Sequence, residues 1–174
     1  MTSTAEDRLH ALWEHQCIRQ VLERYCRGCD RMDKALVDGA FWPDAAVDLG
    51  PWTGKGADVA ARIFPGFAKA TATMHSIYQS NIELSGDTAH GDTYFIGFHR
   101  HDTAGRISLM RAFGRYVDRL EKRGGEWRIS RRTVIMEHIQ EEADIKAGDL
   151  TMDMFRLGKR GDRSDLSYTG RQQL

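Results

Sequence analysis

From residue 5 to residue 29 apolar side chains recur at helical spacing. The stripe they draw, Ile18, Val21, Leu22, Tyr25, Cys26 and Cys29, predicts an amphipathic helix with its N-cap at Ser3 or Thr4. Asp30 follows on the same phase as Leu22 and Cys26, so its carboxylate falls on the inward face. A second, short helix is predicted from Asp33 to Phe41 and is stopped by Pro43. Residues 45–49 read as a short strand, 51–56 as a turn, and 57–70 as a third helix interrupted at Pro65 and Gly66. Beyond residue 71 the period changes. Strand-like runs at 73–84, 88–101, 106–121 and 126–138 are separated by Ser-Gly-Asp at 85–87, Asp-Thr-Ala-Gly at 102–105 and Arg-Gly-Gly at 123–125. Hairpin punctuation between consecutive runs makes an antiparallel meander.

Three helices followed by a long antiparallel sheet is an α+β pattern. A twisted sheet needs one face covered, so the helices are expected on its concave side with a pocket between the layers. From about residue 141 charge and glycine displace the apolar pattern. The predicted organisation is one domain over 1–140 and a polar extension over 141–174, either flexible or ordered by a second subunit.

Composition narrows the function classes. A chain of 174 residues with 41% hydrophobic content can bury one sizeable core. Lys plus Arg and Asp plus Glu balance at 25 each, which gives no charge signal for nucleic acid or an anionic membrane; the cluster Arg128, Arg131 and Arg132 is too small to reverse that. No stretch approaches the roughly 20 apolar residues of a membrane span, and the first eight residues lack an apolar secretory core. The expectation is a cytoplasmic protein with no membrane and no nucleic-acid partner. Three cysteines, at 17, 26 and 29, do not make a secreted disulfide framework and fit a reducing compartment.

The candidate chemistry starts with Asp30 and His75. His75 sits in a strand-like stretch where alternation gives it the face of Ile77. In one cavity, a carboxylate could orient an imidazole that removes a proton, without metal or cofactor. Read alone, Asp30 is more readily a solvated turn residue and His75 a satisfied core histidine. The Tyr25 ring belongs to the helix stripe, while its hydroxyl could bind a substrate oxygen. Arg132 is either an exposed cross-strand charge or an anion clamp in the pocket, with Arg131 on the opposite face. Trp42, Tyr78, Phe95 and His99 are the candidate substrate-binding residues, suited to a flat or alicyclic, fairly apolar molecule. His99 and His101 have a two-residue spacing that metals use but lack further ligands, so no metal is expected. Cys26 and Cys29 spell a CxxC at a helix end, where thiolates gain nothing; buried core thiols are the expectation.

Ile18 to Asp30, Phe41 to Gly50, the His75 strand, the turn at 85–87 and Gly114 to Arg132 together resemble the SnoaL-like branch of the nuclear transport factor two-like superfamily. The resemblance spans roughly residues 7–140. It implies a cone-shaped barrel, a strongly curved antiparallel sheet with three N-terminal helices enclosing a pocket. It also implies relatives such as scytalone dehydratase, hexachlorocyclohexane dehydrochlorinase and bile acid dehydratase, which set an aspartate at the end of the first helix behind a histidine base. On that resemblance Asp30 supports His75, with Tyr25 and Arg132 completing the catalytic set. The implied activity is that of a cofactor-independent lyase or isomerase, a dehydratase or a dehydrohalogenase-like enzyme, in a homodimer or homotrimer. The fold also serves as a non-catalytic assembly module, as in the small subunit of ring-hydroxylating dioxygenases, and that alternative stands beside the first.

Overall fold

Thr4 starts the first helix, α1 (Ala5–Arg31), through a reciprocal capping box. Its hydroxyl accepts from the Asp7 amide at 3.0 Å, and the Asp7 carboxylate accepts from the Thr4 amide at 2.8 Å. In this computed structural model, which describes residues 4–145 and 158–169, α1 runs two residues further than its apolar stripe predicts. The helix is closed by Met32, whose φ of 51° turns the chain so that its amide and that of Asp33 bond back to Cys29 and Gly28. Asp30 therefore stays in the last helical turn, held by helix geometry.

Asp33 caps α2 (Lys34–Asp38), which packs close to α1 because Gly28 has no side chain; a Cβ there would stand 2.8 Å from Val37 Cγ2. The second helix is shorter than expected because the chain is already extended at β1 (Phe41–Asp48). Pro43 lies in that strand and does not end a helix. It falls in the break in β1–β6 pairing between Phe41 and Ala46, where its missing N–H costs no ladder bond. The segment expected as a turn contributes β2 (Thr53–Lys55), and a 3₁₀ turn at Gly56–Asp58 leads into α3 (Val59–Phe67), which carries Pro65 inside it.

The meander then follows as β3 (Ala72–Ser85), β4 (Thr88–Thr103), β5 (Arg106–Arg123) and β6 (Glu126–Glu142). The strand order is β2-β1-β6-β5-β4-β3, antiparallel except for the β1–β6 pair. The architecture is α+β, with helices against a curved sheet that stays open at β2 and β3 and does not close into a barrel. The α1 stripe meets Phe95, Ala112, Tyr116, Leu120, Trp127 and Ile129 in one core. Beneath it, Glu14 binds the Trp127 indole and Lys122, the latter at 2.8 Å, so this buried carboxylate is paired and sits below its usual titration range.

The expected boundary at 140 falls inside β6. In the extension, 158–169, with α4 (Leu166–Thr169), packs on its own chain over the C-terminal end of α1. Asp165 pairs with Arg31 at 3.4 Å, Arg163 pairs with Asp33 at 3.1 Å, and Tyr168 donates to Asp33 at 2.8 Å. The remaining extension residues, 146–157 and 170–174, lie outside the described residues.

Candidate active site

α1 delivers Asp30 to the edge strand β3, and both carboxylate oxygens go to one residue. Oδ2 accepts from the main-chain amide of His75 at 2.9 Å, and Oδ1 lies 2.7 Å from His75 Nδ1. An ionised carboxylate can only accept, so an Asp30 carboxylate facing a neutral His75 ring would take the Nδ1 proton as its donor and leave the ring's lone pair on Nε2. Both side chains are largely withdrawn from solvent, at 14% and 7% exposure, so water competes little for this bond.

The other edge of His75 lies over glycine. Gly97 is its cross-strand partner, and a Cβ at 97 would stand 3.4 Å from His75 Cδ2 and Nε2 and 3.6 Å from His99 Nε2. Two imidazole nitrogens thus converge on a spot where the sheet has no side chain. His99 reaches it from the position opposite Thr73, its ring edge-on to His75 with centroids 5.4 Å apart. Phe67, from the end of α3, covers both rings at 5.5 and 5.3 Å. Burial, with added repulsion from His75 and His101, lowers the His99 pKa to about 4. At neutral pH His99 is therefore an uncharged ring able to donate or accept one hydrogen bond.

Tyr25 and Arg132 belong to a neighbouring, fully buried cluster. Arg132 is neither an exposed cross-strand charge nor a free clamp. It has 0% side-chain exposure, and it grips Asp118 with Nε at 2.8 Å and Nη2 at 2.6 Å. Its guanidinium lies 4.5 Å from the Tyr25 ring centre and 4.0 Å from that of Tyr116, and the Tyr25 ring meets Phe41 and Tyr116 edge-on. Nη1 has no partner among the described residues. Burial opposes the charge on Arg132, and Asp118 outweighs it and holds the guanidinium protonated. Burial also keeps the Tyr25 phenol protonated and raises the Cys26 thiol to about 12, so Cys26 and Cys29 are inert core thiols.

The other expected substrate contacts are scattered. Phe95 lies flat on Tyr116 in the core, with centroids 4.2 Å apart, and the absence of a side chain at Gly114 makes room for its ring. Trp42 is far along the sheet, at the β5–β6 hairpin, between Arg123 and Arg128 and donating to the Glu121 carbonyl. Tyr78 sits where β3 slips register and is 50% exposed. Neither belongs to the wall around His75. A cavity of about 860 Å³ does reach the dyad, along the seam between α1, β3 and the C-terminal segment. Its lining includes Cys26, Asp30, His75, Ile77, Lys159 and Asp165. Among the described residues no cluster of three or more His, Cys, Asp or Glu side chains could hold a metal ion, and no helix is long and apolar enough to cross a membrane.

The sequence reading missed Gly97, although a glycine inside a strand marks a close approach. It also missed Asp118 and Arg160, whose partners lie 14 and 130 residues away in the chain.

Residues 10–133 match the SnoaL-like domain. Among solved structures, the chain is similar to a type 3 hexachlorocyclohexane dehydrochlorinase from Novosphingobium barchaimii, at 20% identity and a TM-score of 0.69, covering 82% of this chain and 99% of the other. A scytalone-dehydratase-like protein from Novosphingobium aromaticivorans aligns at 20% identity with a TM-score of 0.66, covering 79% and 91%. A Mycobacterium tuberculosis protein of unknown function aligns at 25% identity with a TM-score of 0.65, covering 77% and 78%. No curated protein matches the chain.

Proposed function

The chain belongs to the SnoaL-like domain family, and on that footing we propose that it is a cofactor-independent lyase or isomerase that works by proton abstraction at His75. The observation that carries this reading is the pairing of Nδ1 with Asp30 at 2.7 Å while Nε2 stands over the bare backbone of Gly97. Nε2 takes a proton from a substrate carbon, and the C–H electron pair forms a double bond to the neighbouring carbon. The group on that neighbour, hydroxide or halide, leaves with its bonding pair. Asp30 holds the resulting imidazolium until it returns the proton to water or to a shifted carbon. His99 is placed to hydrogen-bond a substrate oxygen, and Phe67, against both imidazole rings, favours a small, fairly apolar ring. Tyr25 and Arg132 support the site from the core, where the Tyr25 ring packs on the Arg132–Asp118 pair behind the sheet.

Elimination is the favoured version, since a dehydrochlorinase and a scytalone-dehydratase-like protein share the fold. Met74, Tyr78, Tyr94, Met136 and Ile139, exposed on the strands, support a homodimer or homotrimer.

Gly97→Ala tests the site. Its methyl would occupy the approach to both imidazoles, 3.4 and 3.6 Å from their Nε2 atoms, at a φ that any residue tolerates. With hexachlorocyclohexane and hydroxylated cyclic ketones as probes, alkene formation by the variant is expected to fall about tenfold or more, because small displacements of a reacting atom cost that much. An unchanged thermal midpoint would assign the loss to the site. Equal turnover by both proteins would place the chemistry elsewhere, and no turnover of any probe by the wild type would favour the assembly-module reading.

A further inference from the structure

Helices α1 and α3 end beside each other, and each end carries main-chain carbonyls that helical geometry leaves without intrahelical partners; that of Phe67 accepts from the Ala70 amide at 3.1 Å. One guanidinium reaches both ends. Arg160, in the C-terminal segment, donates from Nε to the carbonyl of Asp30 at 3.0 Å and from Nη1 to the carbonyls of Phe67 at 3.1 Å and Ala70 at 2.7 Å. A cation at two helix C-termini is favourably placed against both helix dipoles. The same two residues hold the dyad: Asp30 grips His75, and Phe67 packs against the His75 ring at 5.5 Å.

We propose that Arg160 is a positioning residue for the His75–Asp30 pair, so that the C-terminal segment is a working part of the site. This inference rests on reading those two residues as a working pair. Arg160 touches neither the His75 ring nor the Asp30 carboxylate. It fixes the main chain that carries Asp30 relative to the main chain that carries Phe67, and so sets how tightly the carboxylate closes on Nδ1. The adjacent Gly161 amide adds a second tie, to the Arg31 carbonyl at 2.8 Å. The charge adds to the geometry. Burial weakens the guanidinium's hold on its proton, and the nearby Asp30 carboxylate acts against that. The rest of the segment is anchored separately, through Asp165 to Arg31 and through Arg163 and Tyr168 to Asp33. The attachment of the segment and the clamp on the dyad can therefore be separated by mutation.

The test follows solvent exchange of the Nδ1 proton of His75 by NMR in the full-length chain labelled with ¹⁵N-histidine, which needs no substrate. In Arg160→Met, exchange is expected to quicken by about tenfold or more, the scale set by losing charge-assisted hydrogen bonds. Arg160→Lys keeps the charge but cannot reach both helix ends at once, and is expected to fall between Met and wild type. Arg163→Met loosens the segment away from the dyad and is expected to leave exchange unchanged. Wild-type exchange in Arg160→Met would overturn the proposal, as would an equal acceleration in Arg163→Met, which would reduce Arg160 to one tether among several. If Arg160→Met does not fold, Arg160→Lys decides: intermediate exchange supports the clamp and wild-type exchange overturns it. Because turnover is not the readout, failure of His75 as a base would leave this result intact, and the reverse holds too.

Discussion

Replacing His75 with alanine is expected to lower turnover by about a hundredfold or more, the usual consequence of removing a general base. The structure gives reason to expect a folded variant. The main-chain amide of His75 keeps its bond to Asp30 Oδ2, so one of the two links between α1 and β3 survives the loss of the ring. The other link is lost with the imidazole, leaving Oδ1 in a site with little water, so some stability goes with it. Measuring the thermal midpoint beside the rate separates the two effects. A large drop in rate with a midpoint only a few degrees lower is the expected pattern. A rate within about threefold of wild type would remove His75 from the chemistry, because a positioned base contributes far more than that.

Asp118→Ala is expected to be the most destabilising single change in the chain. Arg132 and Asp118 are buried at 0% and 1% exposure and bonded through two parallel contacts, so deleting the carboxylate strands a cation among Tyr25, Phe41 and Tyr116. Removing one partner of a buried ion pair costs about 3–5 kcal/mol. For a domain of this size that lowers the thermal midpoint by roughly 6–20 °C. The rings alone do not compensate, since a cation over an aromatic face contributes about 2 kcal/mol when desolvated. The double change Asp118→Leu with Arg132→Met is expected to recover most of the loss, because replacing both charges removes the burial penalty. A midpoint within about 2 °C of wild type for Asp118→Ala would show that Arg132 finds another anion or water, and that the pair does not anchor the core.

Why these residues were unequally legible is a matter of range. The phase of α1 follows from local periodicity, and so does the facing of His75 on β3; together they placed a carboxylate and an imidazole toward one another. Sheet geometry is not local. Whether Trp42 or Tyr78 faces the dyad depends on two breaks in register, between Phe41 and Ala46 on β1 and between Ile77 and Ser80 on β3, and neither is written in the alternation of side chains. The parallel pairing of β1 with β6 joins segments that lie at opposite ends of the fold's sequence, and no turn signal marks it. Arg132 shows another limit. A lone arginine on a strand reads as surface or clamp until Asp118, on the neighbouring strand, is seen to neutralise it. The C-terminal segment reads as a mobile tail or as an arm ordered by a second subunit because it has almost no apolar pattern. Residues 158–169 are instead held by ion pairs and by orphan helix carbonyls, which a hydrophobic reading does not register.

In the proposed mechanism Asp30 fixes the tautomer of His75 and leaves Nε2 free to act as a base. The most direct measurement is a long-range ¹H–¹⁵N correlation spectrum of the histidine-labelled protein, with His75 assigned by the signals missing in His75→Ala. The neutral ring is expected to carry its proton on Nδ1, and that preference is expected to weaken in Asp30→Asn. A proton on Nε2 in the wild type, with Nδ1 bare, would contradict it, because the nitrogen facing Gly97 would then have no lone pair with which to take a proton.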